Sequence, residues 1–341
     1  MKLLRRLLFP FSLIYWVITA LRNVFYNIGV FKQASFTIPV IAVGNLSTGG
    51  TGKSPQTEYL IRLLKGRYRL ATLSRGYKRK SKGFVLADAN ANAQVLGDEP
   101  YQFYTKFPDV YVAVDADRKN GIELLQLLEP KPEVILLDDA YQHRRVKAGF
   151  YILLTAYSDL YADDFVLPAG NLREGRSGAK RADIIVVTKC PADISLHKQK
   201  EIEQKLDTVK GQKVFFTSIQ YDDFVFSEEG KLNVQQVKAM PKVLMAGIAK
   251  PQPFYDYLSS GSDEVITFPD HHDFTDKEVT DMVEKARDNY IITTEKDYMR
   301  LKGRVPNDKL YYLPIMTSFV NDGEEFDKCI LNFIENNKGQ N

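Results

Sequence analysis

The chain has 341 residues, with 46 lysines and arginines against 43 aspartates and glutamates, for a formal net charge of +3. This length predicts two domains, and the small net charge excludes a general nucleic-acid-binding surface. The two cysteines, Cys190 and Cys329, lack the spacing of a zinc site or a disulfide framework and suit a reducing compartment. We therefore expect no nucleic-acid partner, and the composition leaves the oligomeric state open.

The first predicted element is an amphipathic helix over residues 1–27. Its uncharged stretch lies between Arg6 and Arg22, is short for a transmembrane helix and contains Pro10. No small-residue cleavage site follows, which disfavours a signal peptide. At about 100° per residue, cationic and apolar side chains separate onto opposite faces. This pattern favours a helix in the plane of a membrane, in contact with its surface lipids; a helix that caps the core is the alternative.

Residues 28–220 alternate short β-branched runs with helical patterns. The runs that we interpret as strands are residues 38–43, 69–74, 110–115, 133–138, 150–155 and 183–189. Continuous apolar strands that alternate with helices are typical of a parallel sheet covered on both faces. The predicted fold class of this domain is therefore α/β.

A hairpin is predicted to separate this domain from a second one. Residues 224–234, FVFSEEGKLNV, are typical of two short strands around a turn that contains glycine. We place a two-stranded linker at residues 221–236. Residues 237–341 then hold a shorter series of strands and helices, which predicts a second, smaller α/β domain.

The strongest motif is IAVGNLSTGGTGKSP, residues 41–55, in which an apolar strand leads through glycines into a helix. Backbone N–H groups of such a turn face phosphates, the lysine reaches the β- and γ-phosphates, and the serine ligates Mg²⁺. Ser47 stands where the strict P-loop pattern has glycine, so this is a variant P-loop; a plain glycine-rich turn is the alternative. The residues predicted to bind the phosphates are Thr48, Gly49, Gly50, Thr51, Gly52, Lys53 and Ser54.

Two further strand ends bear on the nucleotide. Asp138 and Asp139 follow an apolar run and would supply the carboxylates on the Mg²⁺ side that a P-loop needs, although a solvated turn is the alternative. The segment that starts at Thr188 reads TKCP and lacks the asparagine and aspartate of a guanine-binding motif. ATP with Mg²⁺ is therefore the predicted ligand of a P-loop NTPase-like domain.

Phosphoryl transfer to an alcohol also needs a base and cations near the transferring group. Asp98 and Glu99 precede a helical segment and could face a cleft, but an acidic pair at a helix amino terminus is the plainer interpretation. Arg75, Arg118 and Arg173 all follow strands, at the edge where open α/β sheets bind ligands. This arrangement implies an anionic substrate.

The histidines add one candidate segment. His271 and His272 lie in TFPDHHDF after a predicted strand, whereas His197 lies on a charged, solvated helix. A loop histidine is more often structural than catalytic, so the pattern by itself favours a structural role.

These segments together resemble the tetraacyldisaccharide 4'-kinase (lipid A 4'-kinase) family of Gram-negative bacteria. The matching motifs are GNLSTGGTGKSP, LSRGYKRKSKG, GDEP, DRKNG, LLDDAYQH, PAGNLREG, FPDHHDF and TTEKD. The resemblance implies a P-loop domain joined by a two-stranded linker to a smaller domain, at the cytoplasmic face of the inner membrane. It implies transfer of the ATP γ-phosphate to the 4'-hydroxyl of tetraacyldisaccharide 1-phosphate, a lipid A precursor.

The resemblance also implies roles for single residues. Lys53 and Ser54 would hold phosphate and Mg²⁺, and Asp138 and Asp139 would serve the metal. The residues expected to act in catalysis are Asp98 as the base, His271, Lys53 and Asp139. His271 would orient Asp98 or share its proton, but His272 stands where an aromatic residue is expected, which leaves the partner of Asp98 open. The groups expected to contact the disaccharide are Arg75, Tyr77, Arg118, Gln142 and Glu174.

Two other functions fit part of the pattern. A membrane-bound nucleotide switch would share the P-loop and the amphipathic helix but would need no acceptor base. A kinase for a soluble metabolite would share the P-loop, but such a substrate gives no reason for a membrane helix.

Overall fold

The computed structural model describes residues 5, 7–270 and 272–338. Its strands are β1 (Val40–Asn45), β2 (Leu70–Ser74), β3 (Val85–Leu86), β4 (Tyr111–Val114), β5 (Val134–Asp138), β6 (Phe150–Ala156), β7 (Ile184–Thr188), β8 (Lys213–Tyr221), β9 (Phe224–Phe226), β10 (Lys231–Asn233), β11 (Lys242–Ala246), β12 (Glu264–Thr267), β13 (Tyr290–Thr294), β14 (Leu310–Leu313) and β15 (Ile315–Phe319). Its α-helices are α1 (Phe9–Asn27), α2 (Lys53–Leu64), α3 (Ala93–Leu96), α4 (Asp98–Lys106), α5 (Arg118–Leu125), α6 (Leu196–Leu206), α7 (Val234–Ala239), α8 (Gln252–Leu258), α9 (Asp276–Ala286), α10 (Glu295–Leu301) and α11 (Gly323–Lys338).

The first sheet has the order β15-β8-β7-β6-β1-β5-β2-β4-β3. Strand β1 pairs in parallel with β5 and β6, and the antiparallel pairs lie at the two edges, where β3 meets β4 and β15 meets β8. All residues of β1, β2, β5 and β7 are buried, which explains their unbroken apolar runs because helices cover both faces. The predicted α/β class with a mostly parallel sheet is confirmed.

The functional edge of this sheet follows from its topology. Strands β1, β2, β5 and β7 run parallel, so their carboxyl ends meet at one edge. The chain leaves the sheet there after Asn45, Ser74, Asp138 and Thr188. Ligands of open α/β sheets bind outside this edge.

The second sheet has the order β10-β9-β14-β13-β11-β12. Its strands β11 to β14 are parallel, and the predicted hairpin forms as β9 and β10. The sequence predicted that this hairpin links the two domains. In the structure it extends the second sheet instead, because β9 pairs with β14. The strands that connect the sheets are β8 and β15, which pair from Tyr221 with Ile315 to Thr217 with Phe319.

The carboxy-terminal segment also differs from expectation. We call each sheet, together with the helices that pack on it, the first and the second unit. The second domain was predicted to span residues 237–341, but β15 joins the first sheet and α11 packs on that sheet's core. Phe326, Ile330 and Ile334 of α11 are completely buried there. Local alternation of strand and helix cannot tell which sheet a strand joins, because pairing with β8 spans about 100 residues of chain and depends on tertiary packing.

Helix α1 lies against the first unit through its polar side chains. The Ser12 hydroxyl accepts a hydrogen bond from the Ala169 N–H at 2.8 Å, and the Tyr15 hydroxyl donates to the Arg173 carbonyl at 2.8 Å. Its apolar side faces outward, with 61% of Phe11 exposed. A helix that caps a core would bury these side chains, so that alternative is wrong. No helix among the described residues combines the length and apolar character that crossing a bilayer requires.

Candidate active site

The glycine-rich turn connects β1 to α2 at the carboxyl edge of the first sheet. Gly52 immediately precedes α2 with φ of 79°, a left-handed conformation that glycine adopts without strain. Residues 48–50 are exposed, so their backbone is accessible from solvent. The amino terminus of α2 adds unpaired N–H groups and the positive end of the helix dipole. The turn can therefore bind an anion.

Lys53 and Asp139 meet beside this turn. The Lys53 Nζ lies 3.7 Å from Asp139 Oδ1, and Arg173 Nη1 donates to the same oxygen at 3.0 Å. Burial raises the pKa of Asp139, but the charges of Lys53 and Arg173 outweigh burial and hold that pKa below its ordinary value. The Asp139 carboxylate is therefore ionised and lies between two cations that can also reach phosphate oxygens.

A second group of oxygens lies where the start of α2 meets the end of β5 and the start of α4. Asp138 at the end of β5 is 3% exposed and accepts a hydrogen bond from the Thr57 hydroxyl at 3.2 Å. The Ser54 hydroxyl donates to Glu99 Oε1 at 2.9 Å. Burial, and next the carboxylates of Glu99 and Asp139, raise the pKa of Asp138. A hydroxyl and carboxylates are the hard oxygen donors that Mg²⁺ prefers, so these residue types suit that ion. Among the described residues, however, no three acidic, histidine or cysteine side chains lie close enough together to hold a metal ion as they stand.

Glu99 was considered from the sequence only as a possible base beside Asp98, and the structure places it instead beside the P-loop serine. The pair Asp98-Glu99 had the plainer interpretation of an acidic helix terminus, and both residues do lie in the first turn of α4. Only the packing of α4 beside α2 brings Glu99 to Ser54. The signal in the sequence was the GDEP motif itself, which contains two carboxylates rather than one.

Asp98, the predicted base, is half-buried and is contacted from the second unit. Arg300 of α10 binds its Oδ2 through Nε at 3.0 Å and also through Nη2. The Arg300 guanidinium lies near a second carboxylate, with Nη1 3.7 Å from Asp297 Oδ1. Asp98 thus lies where helices of the two sheets meet. The contact with Arg300 was not predicted from the sequence.

The two neighbouring histidines differ in what the structure describes. His272 Nε2 lies 3.0 Å from both Glu278 carboxylate oxygens, and its ring stacks on Phe268 with centroids 4.9 Å apart. These contacts commit His272 to the second unit. His271 lies outside the described residues, so its pairing with Asp98 stays a prediction.

The predicted contacts to the disaccharide fall into two groups. Arg118, at the start of α5, is 2% exposed and donates through Nη1 to the Asp115 carbonyl at 3.2 Å. Burial lowers the pKa of Arg118 to about 10, against the opposing carboxylates Asp138 and Asp139. Within the described residues its Nε is buried without a hydrogen-bond partner. Arg118 is therefore a buried cation beside the carboxylates of the edge.

Arg75 and Tyr77 follow β2 at the same edge and are both exposed, with 65% of Tyr77 accessible to solvent. The charge of Arg75 is close enough to lower the pKa of Arg118, although burial of Arg118 is the larger cause. The structure thus brings exposed Arg75 toward the buried Arg118, and contact of either side chain with the substrate stays a prediction.

Gln142 and Glu174 belong to a second hydrogen-bond network, which meets the Asp139 site through Arg173 Nη1, 3.5 Å from Gln142 Oε1. Gln142 Nε2 donates to the Asn45 carbonyl at 2.8 Å and to Glu174 Oε1 at 3.2 Å. Glu174 is 1% exposed and accepts from Arg181 at 2.8 and 2.9 Å and from Asn23 of α1 at 2.6 Å. Both carboxylate oxygens therefore have protein donors, and these bonds attach α1. Contact of Glu174 with substrate stays a prediction.

Comparison with known proteins identifies the family of the chain. A family model described as "Tetraacyldisaccharide-1-P 4'-kinase" matches residues 4–335. The chain belongs to this kinase family.

Relatives of the family are similar over their whole length. A protein of Flavobacterium johnsoniae named tetraacyldisaccharide 4'-kinase is 60% identical over 337 residues, which cover 99% of each chain. A Bacteroides thetaiotaomicron protein of the same name is 42% identical, over 97% of this chain and 93% of its own. The crystal structure of "apo" form LpxK from Aquifex aeolicus in complex with ATP is 31% identical, with a TM-score of 0.78 over 97% of this chain and 99% of that one. The predicted P-loop NTPase-like fold of the kinase family is thereby confirmed.

Proposed function

We propose that this chain is an ATP-dependent kinase that transfers the γ-phosphate to the 4'-hydroxyl of tetraacyldisaccharide 1-phosphate, a lipid A precursor. The observation that carries the proposal is a P-loop with Lys53 3.7 Å from Asp139, in a chain of the tetraacyldisaccharide-1-P 4'-kinase family. Such a loop binds the phosphates of a nucleotide. ATP is the nucleotide named for the Aquifex aeolicus structure.

Four oxygen donors would hold Mg²⁺ in this site. They are the Ser54 hydroxyl and the carboxylates of Glu99, Asp138 and Asp139. Support comes from the 2.9 Å bond between Ser54 and Glu99 and from the raised pKa of Asp138, which has burial and then neighbouring carboxylates as its causes. When bound, the ion would neutralise charge on the β- and γ-phosphates. A divalent cation would also relieve the repulsion among these carboxylates.

The chain's own residues account for the rest of the chemistry. A sugar hydroxyl is a weak nucleophile, so in-line positioning and cations near the transferring group carry most of the catalysis. Lys53 and Arg173 are the cations on the nucleotide side, and Arg118 and Arg75 would bind the anionic disaccharide. Asp98 would accept the proton of the 4'-hydroxyl as the bond to phosphorus forms.

The second unit would complete this site. Arg300 of α10 binds Asp98. Glu295, also on α10, accepts from Lys106 of α4, with 2.7 Å between Lys106 Nζ and Glu295 Oε1. We expect the base to adopt its working geometry only while the two units are in contact, which would also keep water from the transferred phosphoryl group. His271 would join the base from this side, as the resemblance implies.

Helix α1 would hold the enzyme at the cytoplasmic face of the inner membrane, where an acylated substrate resides. Its outward side chains include Ile14 and Ile18, which are 59% and 60% exposed. Phe165 continues this apolar surface, because its ring lies 5.9 Å from that of Phe9 and is 52% exposed. Apolar side chains on one face of such a helix enter the boundary between headgroups and acyl chains.

A vesicle assay tests the membrane contact. The double variant Ile14→Glu, Ile18→Glu should lose most of the sedimentation that the wild type shows with vesicles containing anionic phospholipid, because two charges would enter the apolar boundary. Leu127→Glu is the matched control, since Leu127 is 75% exposed but does not lie on α1. Equal sedimentation of the double variant and the wild type would refute membrane binding through α1.

The activity itself is tested by transfer of labelled γ-phosphate from ATP·Mg²⁺ to tetraacyldisaccharide 1-phosphate in mixed micelles. We expect the wild type to label the lipid, Lys53→Ala to lose transfer together with ATP affinity, and Asp98→Ala to bind ATP but lose transfer. Wild-type protein that binds ATP and labels no lipid would refute this acceptor and favour a nucleotide switch.

A further inference from the structure

Two carbonyl groups of the P-loop accept hydrogen bonds from side chains at the carboxyl end of β7. The Thr188 hydroxyl, at the end of β7, donates to the Thr51 carbonyl at 2.8 Å. The next residue, Lys189, donates from Nζ to the Gly50 carbonyl at 2.7 Å. Two consecutive peptide groups of the loop are therefore held by two consecutive side chains that are 137 and 139 residues away along the chain.

The orientation of these carbonyls decides where the loop's N–H groups point. In a planar trans peptide, the C=O and the N–H of the next residue point in opposite directions. A Gly50 carbonyl turned toward Lys189 directs the Thr51 N–H away from Lys189, and a Thr51 carbonyl turned toward Thr188 does the same for the Gly52 N–H. These N–H groups are the donors with which a P-loop binds phosphate.

Packing does little to hold the loop at Gly49 and Gly50, although Thr51 is buried. A Cβ placed on Gly49 would meet no atom within 4 Å, and one placed on Gly50 would meet only Lys189 Nζ, at 3.8 Å. Glycine has a wide range of allowed backbone conformations, so a peptide between such residues turns over at small cost unless a hydrogen bond holds it. The two side-chain bonds therefore restrain these two peptides, beside Asn45, whose Nδ2 donates to the Ser47 carbonyl at 2.8 Å and to the Gly49 carbonyl at 3.3 Å.

We propose that Thr188 and Lys189 are positioning residues that hold the P-loop with its N–H groups directed at the nucleotide phosphates. Thr188 suits this role because it is 3% exposed and fixed in the central sheet between β6 and β8. Lys189 has a φ of 58°, which turns the chain directly after the strand and directs its ammonium over the loop. The proposal rests on the proposed binding of ATP and concerns how the site is prepared for it.

Nucleotide affinity of the full chain tests the proposal, with titration calorimetry of ATP, ADP and AMP. Thr188→Val keeps the shape of the side chain and removes its donor, and Thr188→Ser keeps the donor. A net hydrogen bond corresponds to a loss of roughly two- to tenfold in affinity. We expect this loss for ATP and ADP in Thr188→Val and Lys189→Met, near wild-type affinity in Thr188→Ser, and unchanged affinity for AMP, which lacks the phosphates that the loop binds.

Kinetics separates positioning from general destabilisation. Thr188→Val and Lys189→Met should each raise KM for ATP and leave KM for the lipid unchanged, which a loss of folded protein would not do. Lys250→Met is the charge-matched control, because this substitution removes one positive charge near the same edge. The Lys250 ammonium pairs with Asp159 at 3.2 Å.

Three results would overturn the proposal. One is wild-type affinity of Thr188→Val for ADP; another is an equal loss in Lys250→Met, which would attribute the Lys189 effect to charge alone. The third is an equal loss for AMP. If Thr188→Val does not fold, Lys189→Met and Thr188→Ser decide the matter by the same measurements. Absence of ATP binding by the wild type would instead refute the proposed function.

Discussion

Replacement of Lys106 by methionine should destabilise the protein, because Lys106 forms ion pairs with two buried carboxylates at once. Its Nζ lies 2.8 Å from Glu58 Oε2 and 2.7 Å from Glu295 Oε1. The side chains of Glu58 and Glu295 are 2% and 6% exposed, and they lie on α2 and α10, one from each side of the junction between the sheets. Lys106 therefore joins the P-loop helix, the helix of the predicted base and the second unit.

The magnitude follows from what each carboxylate retains. Loss of one partner of a buried ion pair costs about 3–5 kcal/mol. Glu58 keeps two donors, Gln102 at 2.8 Å and Arg62 at 2.8 Å, whereas Glu295 loses the bonds that Lys106 donates to its two carboxylate oxygens at 2.7 and 2.9 Å. We therefore expect a loss near the lower end, about 3 kcal/mol of unfolding free energy at neutral pH.

The same loss should depend on pH. Burial, and next the charge of Glu58, raise the pKa of Glu295 above its ordinary value of 4.5, against the opposing charge of Lys106. A raised pKa in the folded state means that the contribution of Glu295 to stability is full below its ordinary pKa and is lost as the pH rises through the raised value. Lys106→Met removes the opposing charge and raises that pKa further. The deficit should therefore be smaller at pH 5 than at pH 8.

Urea unfolding followed by circular dichroism at these two pH values measures the effect. Lys205→Met is the control, since Lys205 pairs with Asp163 at the surface, where the two side chains are 45% and 51% exposed. That change should cost at most about 1 kcal/mol. A loss below about 1 kcal/mol in Lys106→Met, or a loss equal at both pH values, would refute the reasoning from buried charge.

Three more outcomes are expected. Arg300→Met should lower turnover tenfold or more at unchanged KM for ATP, because Arg300 holds Asp98 rather than the nucleotide; Arg300→Lys should recover part of the turnover, and wild-type turnover in Arg300→Met would contradict this. Gly44→Ala should cost about 1–3 kcal/mol in urea unfolding, because its Cβ would lie 2.7 Å from Tyr141 Cβ; an unchanged midpoint would count against that contact. Burial, and next a neighbouring arginine, lower the pKa of His143 from 6.5 to about 4, so the wild type should lose stability between pH 6.5 and 4 as the unfolded chain takes up the proton first. His143→Gln should flatten this part of the pH curve, and parallel curves would contradict it.

Much of the fold was predictable because its signals are local. The unbroken apolar runs at β1, β5 and β7 follow from burial on both faces of a parallel sheet. The turn into α2 was predictable because glycines, a lysine and a serine follow a strand in an order that phosphate binding demands. The position of Asp138 and Asp139 was predictable because a strand end locates its side chains at a known edge of the sheet, whereas their role toward Mg²⁺ stays a prediction.

The amino-acid sequence by itself determined the strands, the P-loop, the polarity of α1 and the family, since each depends on residues close together in the chain or on motifs in order. Tertiary structure alone decided which sheet β15 joins, that Glu99 reaches Ser54, that Arg300 binds Asp98, and that Glu174 is enclosed by protein donors. Each of these contacts joins segments far apart in the chain. Their energies depend on packing between helices and sheets, which no local pattern of side chains records.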